Sequence, residues 1–498
     1  MAVTSPATAT PDAGVLAAIR PKRAIAALLV LTLARLVVAA TAPLSPDEAY
    51  YRIWAHALAP GYLDHPPMVA LWIRAGTWFA GETALGVRLF GPLSAALGSV
   101  LLARAAEDFF PGRRAGFVAA ALLNATLLLG VGSVIMTPDT PLILFWTAAL
   151  WCLGRLLRTG DPRWWLATGL AAGLALDSKY TGFLLGLGLA VWILAVPEGR
   201  RWLRAWQLWA GGALAAAVFT PVILWNAGHG WASFVKQGGR TGVWHPADAL
   251  RFLSELVGGQ IGLATPLVLA LCVLGVARAA RLGWRGRAPG PALLACLTLV
   301  PAAVFLLHAL GDRVQANWPC VLYPAGCLAA AGLAARGWRP AVALGLVLVI
   351  PAWVQASAAP FALPRRLDPT LIRLGGWDRM TRQVEAVAAW KGADYVVADE
   401  YGLASVLAWN GRRLPVAGVE ARWALFDLPP AALAGHTGLL VRSTRRAEPP
   451  NPALWATARL VGEADRSRGG VVAEQYRLYL VTARPETGPA VQLDHATR

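Results

Sequence analysis

The chain has 498 residues, of which 57% are hydrophobic and only 15% charged, with a formal net charge of +17. A soluble domain carries about 25% charged residues, so this composition excludes a wholly soluble protein and fits one whose surface largely faces lipid. The positive excess does not point to nucleic acid, because the arginines sit in short tracts between apolar runs and no basic-aromatic binding module is present.

Residues 1–19 are rich in Ala, Thr and Pro and read as a disordered cytoplasmic N-terminus. Arg20, Lys22 and Arg23 then precede an apolar run from Ala24 to Pro43. Ala-Thr-Ala at 40–42 resembles a signal-peptide cleavage site, but the run is about one full helix span long and the later topology needs it to stay. Ten more spans are expected near 86–105, 114–135, 140–157, 164–177, 181–196, 206–225, 257–278, 291–310, 318–335 and 339–356, eleven in all. The five cysteines, Cys152, Cys272, Cys296, Cys320 and Cys327, fall in or at the ends of these segments without CxxC spacing and read as buried, unreactive thiols.

Arg113 and Arg114, Arg155 to Arg163, Arg200 to Arg204, Arg278 to Arg287, and Arg336 with Arg339 all fall on one side of that topology. The opposite loops are longer yet carry chiefly Arg52, Arg74, Lys179, Lys236, Arg240, Arg251 and Arg313. By the positive-inside rule the N-terminus is cytoplasmic, and eleven spans leave the C-terminus outside. Two outer loops, 44–85 and 226–256, mix Trp, Tyr and amphipathic stretches and read as helices along the membrane surface. The fifth and sixth spans are short and meet at Asp177-Ser178-Lys179-Tyr180, as helices lining a polar cavity do.

From Leu363 charge rises. Asp394–Ala398, Gly438–Arg442 and Gln475–Thr482 read as strands, 378–390 and 400–409 as helices, and the last dozen residues as loose. The expected fold is therefore mainly α: a polytopic membrane helical bundle over 20–360, followed by a small extracytoplasmic α/β domain over 361–498.

Several outward-facing tracts could carry chemistry. Ser45-Pro46-Asp47-Glu48-Ala49-Tyr50-Tyr51 places two carboxylates at a membrane boundary, either as a helix cap or as reactive groups. Tyr62-Leu63-Asp64-His65-Pro66-Pro67 sets an acid and an imidazole before two stiffening prolines, unless it is only a turn. Thr137-Pro138-Asp139-Thr140-Pro141 lies at an outer helix end, where Asp139 could simply cap. Lys179 at the junction of the short spans needs an anionic partner, with Asp177 the structural option. Asp312-Arg313, Asn317-Trp318-Pro319 and Tyr323 open the tenth span, and the planar fork of Arg313 suits either a phosphate or an interfacial anchor. His229, His245 and His308 read as structural, and no HExxH, P-loop or GxGxxG context is present.

The order DEAYY, YLDHPPM, TPDTP, SKYTG and QANWP over residues 24–356 resembles the bacterial family-39 glycosyltransferases. These share a type-C membrane fold with protein O-mannosyltransferases and the lipid A aminoarabinose transferase. The resemblance implies transfer of a sugar from a polyprenyl-phosphate donor to an extracytoplasmic acceptor, whether lipid A, another glycan, a glycolipid or a protein, at the bacterial inner membrane. It also implies that Asp47, with Glu48 beside it, and Asp139 are the catalytic acids. Lys179, Arg313 and His65 are the donor-phosphate residues, although His65 replaces a lysine of the family motif and is not a permanent cation. Asp64, Tyr50, Tyr180, Trp318 and Tyr323 are expected to contact substrate. A growing phosphate charge would be met by Lys179 and Arg313, and Asp47 would orient or deprotonate the acceptor hydroxyl in a single, inverting displacement. No cofactor is required on this reading; a divalent ion on Asp47, Asp64 or a histidine stays open but is not expected. A transporter or flippase of a lipid-linked or anionic substrate is the alternative that broken helices with buried charges would also suit.

Overall fold

The computed structural model describes residues 21–113, 115–242, 244–285, 288–485 and 490–493. The expected N-terminal segment 1–19 lies outside them. In chain order the helices of the bundle are α1 (Pro21–Thr41), α2 (Pro46–His56), α3 (Met68–Ala80), α4 (Ala84–Arg88), α5 (Phe90–Phe109), α6 (Gly116–Asn124), α7 (Leu127–Gly132), α8 (Asp139–Thr159), α9 (Trp164–Ser178), α10 (Phe183–Ala195), α11 (Pro197–Arg200), α12 (Trp206–Gly228), α13 (Ala232–Gly242), α14 (Ala249–Ala264), α15 (Pro266–Arg285), α16 (Pro289–His308), α17 (Leu322–Leu333) and α18 (Trp338–Ser357).

Among the described residues, seven helical stretches are long and apolar enough to cross a membrane: α1, α4 with α5, α8, α12, α15, α16 and α18. A bent pair, 180–195 with 197–204 at 103°, makes eight if it counts as one span. The expected eleven are thus not all full-length spans. The segment expected at 114–135 is α6 and α7, broken where Thr126 Oγ1 accepts from the Leu129 amide and restarts the helix. Helix α18 presses into that break: a Cβ at Gly345 would stand 2.0 Å from the Ala125 carbonyl oxygen. The segment expected at 257–278 is α14 and α15, separated at Thr265 with φ 67°. Pro266 has no N–H to continue a helix and disfavours an α conformation in the residue before it. Helices α9 and α17 are short, and with the broken pairs they put chain ends and polar groups at membrane depth, tolerated only inside protein.

Lipid tails offer no hydrophobic drive for helices to associate, so small residues decide how close backbones come. Helices α9 and α12 meet through Gly169 and Gly211; a Cβ at Gly169 would lie 2.0 Å from the Gly211 carbonyl oxygen.

The C-terminal part starts with α19 (Pro369–Arg373) and α20 (Trp377–Lys391) and continues with α21 (Tyr401–Asn410) between the first two strands. Its strands are β1 (Tyr395–Ala398), β2 (Val416–Gly418), β3 (Thr437–Ser443), β4 (Trp455–Arg468), β5 (Val471–Ala483) and β6 (Val491–Gln492), in the sheet order β4-β5-β3-β1-β2-β6. Strands β2 and β3 flank β1 in parallel, and the other neighbours are antiparallel. Three strands and both helices match the expectation from sequence. Strands β2, β4 and β6 do not, and β6 falls in the stretch expected to be loose. The domain is not pendant: one continuous apolar core runs from Tyr50, Trp54 and Tyr62 through Trp423 and Leu403 to Val396.

Gly169→Ala should wedge α9 from α12 and destabilise by about 1–3 kcal/mol, as overpacking does. Gly212→Ala, where an added Cβ meets nothing within 4 Å, should be neutral. Thermal unfolding in detergent reads both, and equal melting temperatures would refute the close packing of these helices.

Candidate active site

The frame is set where the chain leaves α1. Ser45 caps α2, and its side chain accepts from the Glu48 amide while Glu48 Oε2 accepts from the Ser45 amide at 2.9 Å, a reciprocal capping box. Glu48 is fully buried and ion-paired to Arg88 of α4 at 2.5 Å and 2.7 Å. The same guanidinium donates to the Ala39, Ala42 and Pro43 carbonyls, which α1 leaves unsatisfied at its end. Glu48 Oε1 also accepts from the Met136 amide at 3.0 Å, three residues before Asp139. Both oxygens of Glu48, expected to be a catalytic acid, are thereby engaged within the frame of the site.

With Glu48 turned inward, Asp47 lies on the first turn of α2 at the rim of the recess, partly in reach of solvent. The Tyr401 hydroxyl donates to its Oδ1 at 3.4 Å. Loss of water in the crowded recess pushes the Asp47 carboxyl above its ordinary value; Arg373 and Tyr401 pull it back, and Glu48 and Asp64 push it further up.

Asp64 is the second acid of the recess. Its Oδ1 accepts from Lys236 of α13, and its Oδ2 from the Tyr50 hydroxyl and from Arg422 Nη1, each at 3.0 Å. Gln237 holds the Asp64 carbonyl at 2.7 Å. Burial raises the Asp64 carboxyl, but Lys236 and then Arg422 outweigh it and bring it below the ordinary value. Tyr50 is buried against Trp54, Tyr401 and Trp423, and burial with the Asp64 charge keeps its phenol protonated as a donor.

A second cluster lies at the ends of the short helices. Asp139, at the start of α8, accepts from Lys179 Nζ at 2.6 Å and from Asn317 Nδ2 at 2.6 Å, with Cys320 Sγ at 3.3 Å. Lys179 therefore pairs with Asp139 and not with Asp177, and Asp139 makes no side-chain cap to α8. Tyr180 contacts Ser233 Oγ at 2.5 Å, tying this junction to the element that carries Lys236.

The remaining expected residues lie elsewhere. Arg313, expected at the donor phosphate, forms an ion pair with Glu255 of α14 at 2.7 Å on the surface. Tyr323 is buried and donates to Gln260 at 2.7 Å, so it does not line an open pocket. Trp318 is half-buried, its ring 5.9 Å from that of His308. His65 sits edge-on to Tyr51 at 6.3 Å. Among the described residues no three His, Cys, Asp or Glu side chains gather as a metal site.

Residues 64–225 match the family model described as dolichyl-phosphate-mannose-protein mannosyltransferase. Over 78% of its length the chain is 27% identical to a lipid A galacturonosyltransferase of Rhizobium johnstonii, covering 80% of that protein. It is 26% identical to the undecaprenyl phosphate-alpha-4-amino-4-deoxy-L-arabinose arabinosyl transferase of Erwinia tasmaniensis, covering 59% of this chain and 56% of that one. The fold matches ArnT of Cupriavidus metallidurans, solved with undecaprenyl phosphate, at a TM-score of 0.60 and 16% identity over 94% of this chain and all of that one. The chain is a multi-pass membrane glycosyltransferase with the type-C fold. Its relatives include one named for lipid A galacturonosyl transfer and one for arabinosyl transfer, which favours transfer over the transporter alternative.

Arg88→Gln should strand the buried Glu48 charge and cost about 3–5 kcal/mol, the usual penalty for breaking a buried pair. Adding Glu48→Gln to that variant should recover part of the loss. Melting curves of the purified variants in detergent decide it; a harmless Arg88→Gln would remove this pair as the frame of the site.

Proposed function

We propose that this chain moves a sugar from a polyprenyl-phosphate-linked donor to a lipid A-type acceptor at the outer face of the bacterial inner membrane. The carrying observation is the pair of acids in the recess: Asp47, a carboxylate with raised basicity under the influence of Arg373, and Asp64, which holds Lys236 and Arg422 from two further elements. The names of the relatives support the donor and acceptor classes, since one is named for lipid A and another for undecaprenyl phosphate. On this reading residues 20–360 form the transferase bundle and 361–498 an extracytoplasmic domain, with the N-terminus cytoplasmic as the distribution of arginines suggests.

In the proposed reaction the acceptor hydroxyl attacks the anomeric carbon as the bond to the lipid phosphate oxygen breaks. Asp47 accepts the hydroxyl proton, and the electron pair of the breaking bond leaves with the phosphate. One displacement inverts the anomeric centre. The donor's tail lies in the bilayer, so its phosphate sits near the membrane boundary, within reach of Lys236 on α13. A cation held there by Asp64 meets the developing charge without reorganising. Asp139 and Lys179 neutralise one another, and their proposed role is to hold α8, the α9 junction and Asn317 in register around the recess.

Asp47→Asn keeps the shape and removes the base, so transfer should fall by about 10²–10⁴-fold with melting temperature unchanged. Radiolabelled sugar transfer in nanodiscs measures this, and a fully active variant would take Asp47 out of the mechanism. Because the base must be ionised and its carboxyl is shifted upward, the acid limb of the rate profile should lie above the ordinary carboxylate range. A rate that stays flat down to that range would contradict a base with raised basicity.

A further inference from the structure

Both acids of the recess are touched by side chains from beyond the membrane bundle. Tyr401 at the start of α21 reaches Asp47, and Arg422 in the turn Ala421–Leu425 reaches Asp64. Arg422 is tightly aimed. Its Nε donates to Glu420 Oε1 at 2.8 Å, its Nη1 lies 3.0 Å from Asp64, and its guanidinium carbon stacks 3.8 Å from the Tyr401 ring centre. Glu420 in turn accepts from the Tyr401 amide at 2.9 Å, so a single acid fixes the ring and the cation together. The side chain is 10% exposed and keeps Nη2 without a described partner.

The hydrogen-bonding capacity left in the recess is lopsided. Asp64 already carries Lys236 on one oxygen and Tyr50 with Arg422 on the other, so its single negative charge is more than matched and it has little left to offer an ammonium group. A guanidinium has five N–H donors and a lysine ammonium three, so unused donors remain on Arg422 and Lys236. The Asp64 side of the recess therefore suits an oxyanion better than an amine, while the Asp47 carboxylate is, on the reading above, the partner of the acceptor hydroxyl. Position divides the work between the two cations. Lys236 comes from the bundle, at the level of the donor phosphate in the reading above, whereas Arg422 comes from the C-terminal domain and faces whatever extends beyond that phosphate.

We propose that Arg422 makes the C-terminal domain part of substrate recognition, binding an oxyanion on the transferred sugar or on the acceptor: a sugar carboxylate or an acceptor phosphate. The planar fork of arginine matches either group with two parallel hydrogen bonds. This rests on the glycosyltransferase reading for the orientation of the substrate. Asp64 is then a bracket that holds both cations, and Tyr401 is a positioning residue between Arg422 and Asp47.

The test uses the full chain in nanodiscs and reads equilibrium binding and turnover side by side. One arm compares undecaprenyl-phosphate galacturonic acid with undecaprenyl-phosphate galactose. The other compares phosphorylated lipid A with its phosphatase-treated form. Wild type should favour the charged partner by about tenfold or more in at least one arm, roughly the 1.4 kcal/mol of a tenfold change in affinity. The responding arm identifies the source of the oxyanion. Arg422→Gln should collapse that charged-to-neutral ratio towards one, and Arg422→Lys should keep part of it. Lys236→Gln should weaken both galacturonic and galactosyl donors alike and leave their ratio unchanged. Equal binding of charged and neutral partners in both arms overturns the inference, as does an unchanged ratio in a folded Arg422→Gln or, should that variant not fold, in Arg422→Lys. Turnover lost with every donor while binding ratios behave as stated would defeat the transferase reading and leave the anion site standing.

Discussion

The buried pair of Glu48 and Arg88 is the constraint on which the rest of the site depends. Three stretches of chain that are distant in sequence converge on it: the turn from α1 into α2, the last residue of α4 and the loop before α8. Two charges in a dry interior are costly unless geometry and extra hydrogen bonds compensate. Here Arg88 also serves three carbonyls, and Glu48 also serves two amides and a hydroxyl, so the desolvation of each charge is offset several times over. The consequence is directional. With Glu48 anchored inward, its neighbour Asp47, about 100° round the helix, lies at the surface beside Tyr401 of the C-terminal domain.

That domain is joined to the bundle by chemistry as well as by packing. Apolar side chains of α2 and α21 share one core, and the polar layer above it runs Asp47, Tyr401, Arg422, Asp64 and Lys236. Each member is held by at least one other, so the recess is organised before any substrate arrives. Preorganised charge is what a reaction with a developing phosphate anion gains from, because nothing has to reorient as the bond breaks. The broken and shortened helices serve the same end. Asp139 and Lys179 sit at helix ends, where polar groups at membrane depth are enclosed by protein and can satisfy one another.

Residues of one short motif often divide between framework and chemistry. DEAYY places Asp47 at the recess, Glu48 in the frame and Tyr50 as a donor to Asp64. Across QANWP, Asn317 reaches Asp139 while Trp318 packs half-buried beside His308. Motif spacing marks such a segment but cannot assign these parts, because each depends on which side of a helix turn meets another element.

By itself the sequence determined a membrane bundle, most of its helices and the α/β character of the tail, since apolar length, arginine placement and local motifs carry that information. It read 114–135 as one full span where Thr126 restarts the helix, and it set the 257–278 span too early where Thr265 and Pro266 break the chain, because hydropathy averages over a break that one cap or one proline sets. It also missed β4, whose exposed, charged run lacks a clean alternation and is paired along its length by β5. Lys236 was visible as an outer lysine in an amphipathic loop. Arg422 was one arginine among many in the tail. Only the tertiary structure decided that Glu48 is framework, that Lys179 belongs to Asp139, and that Arg422 reaches Asp64, 358 residues away along the chain. The physical reason is common to all three: the partner of a buried charge is whichever opposite group the packed backbones bring within reach, and no local pattern encodes that distance.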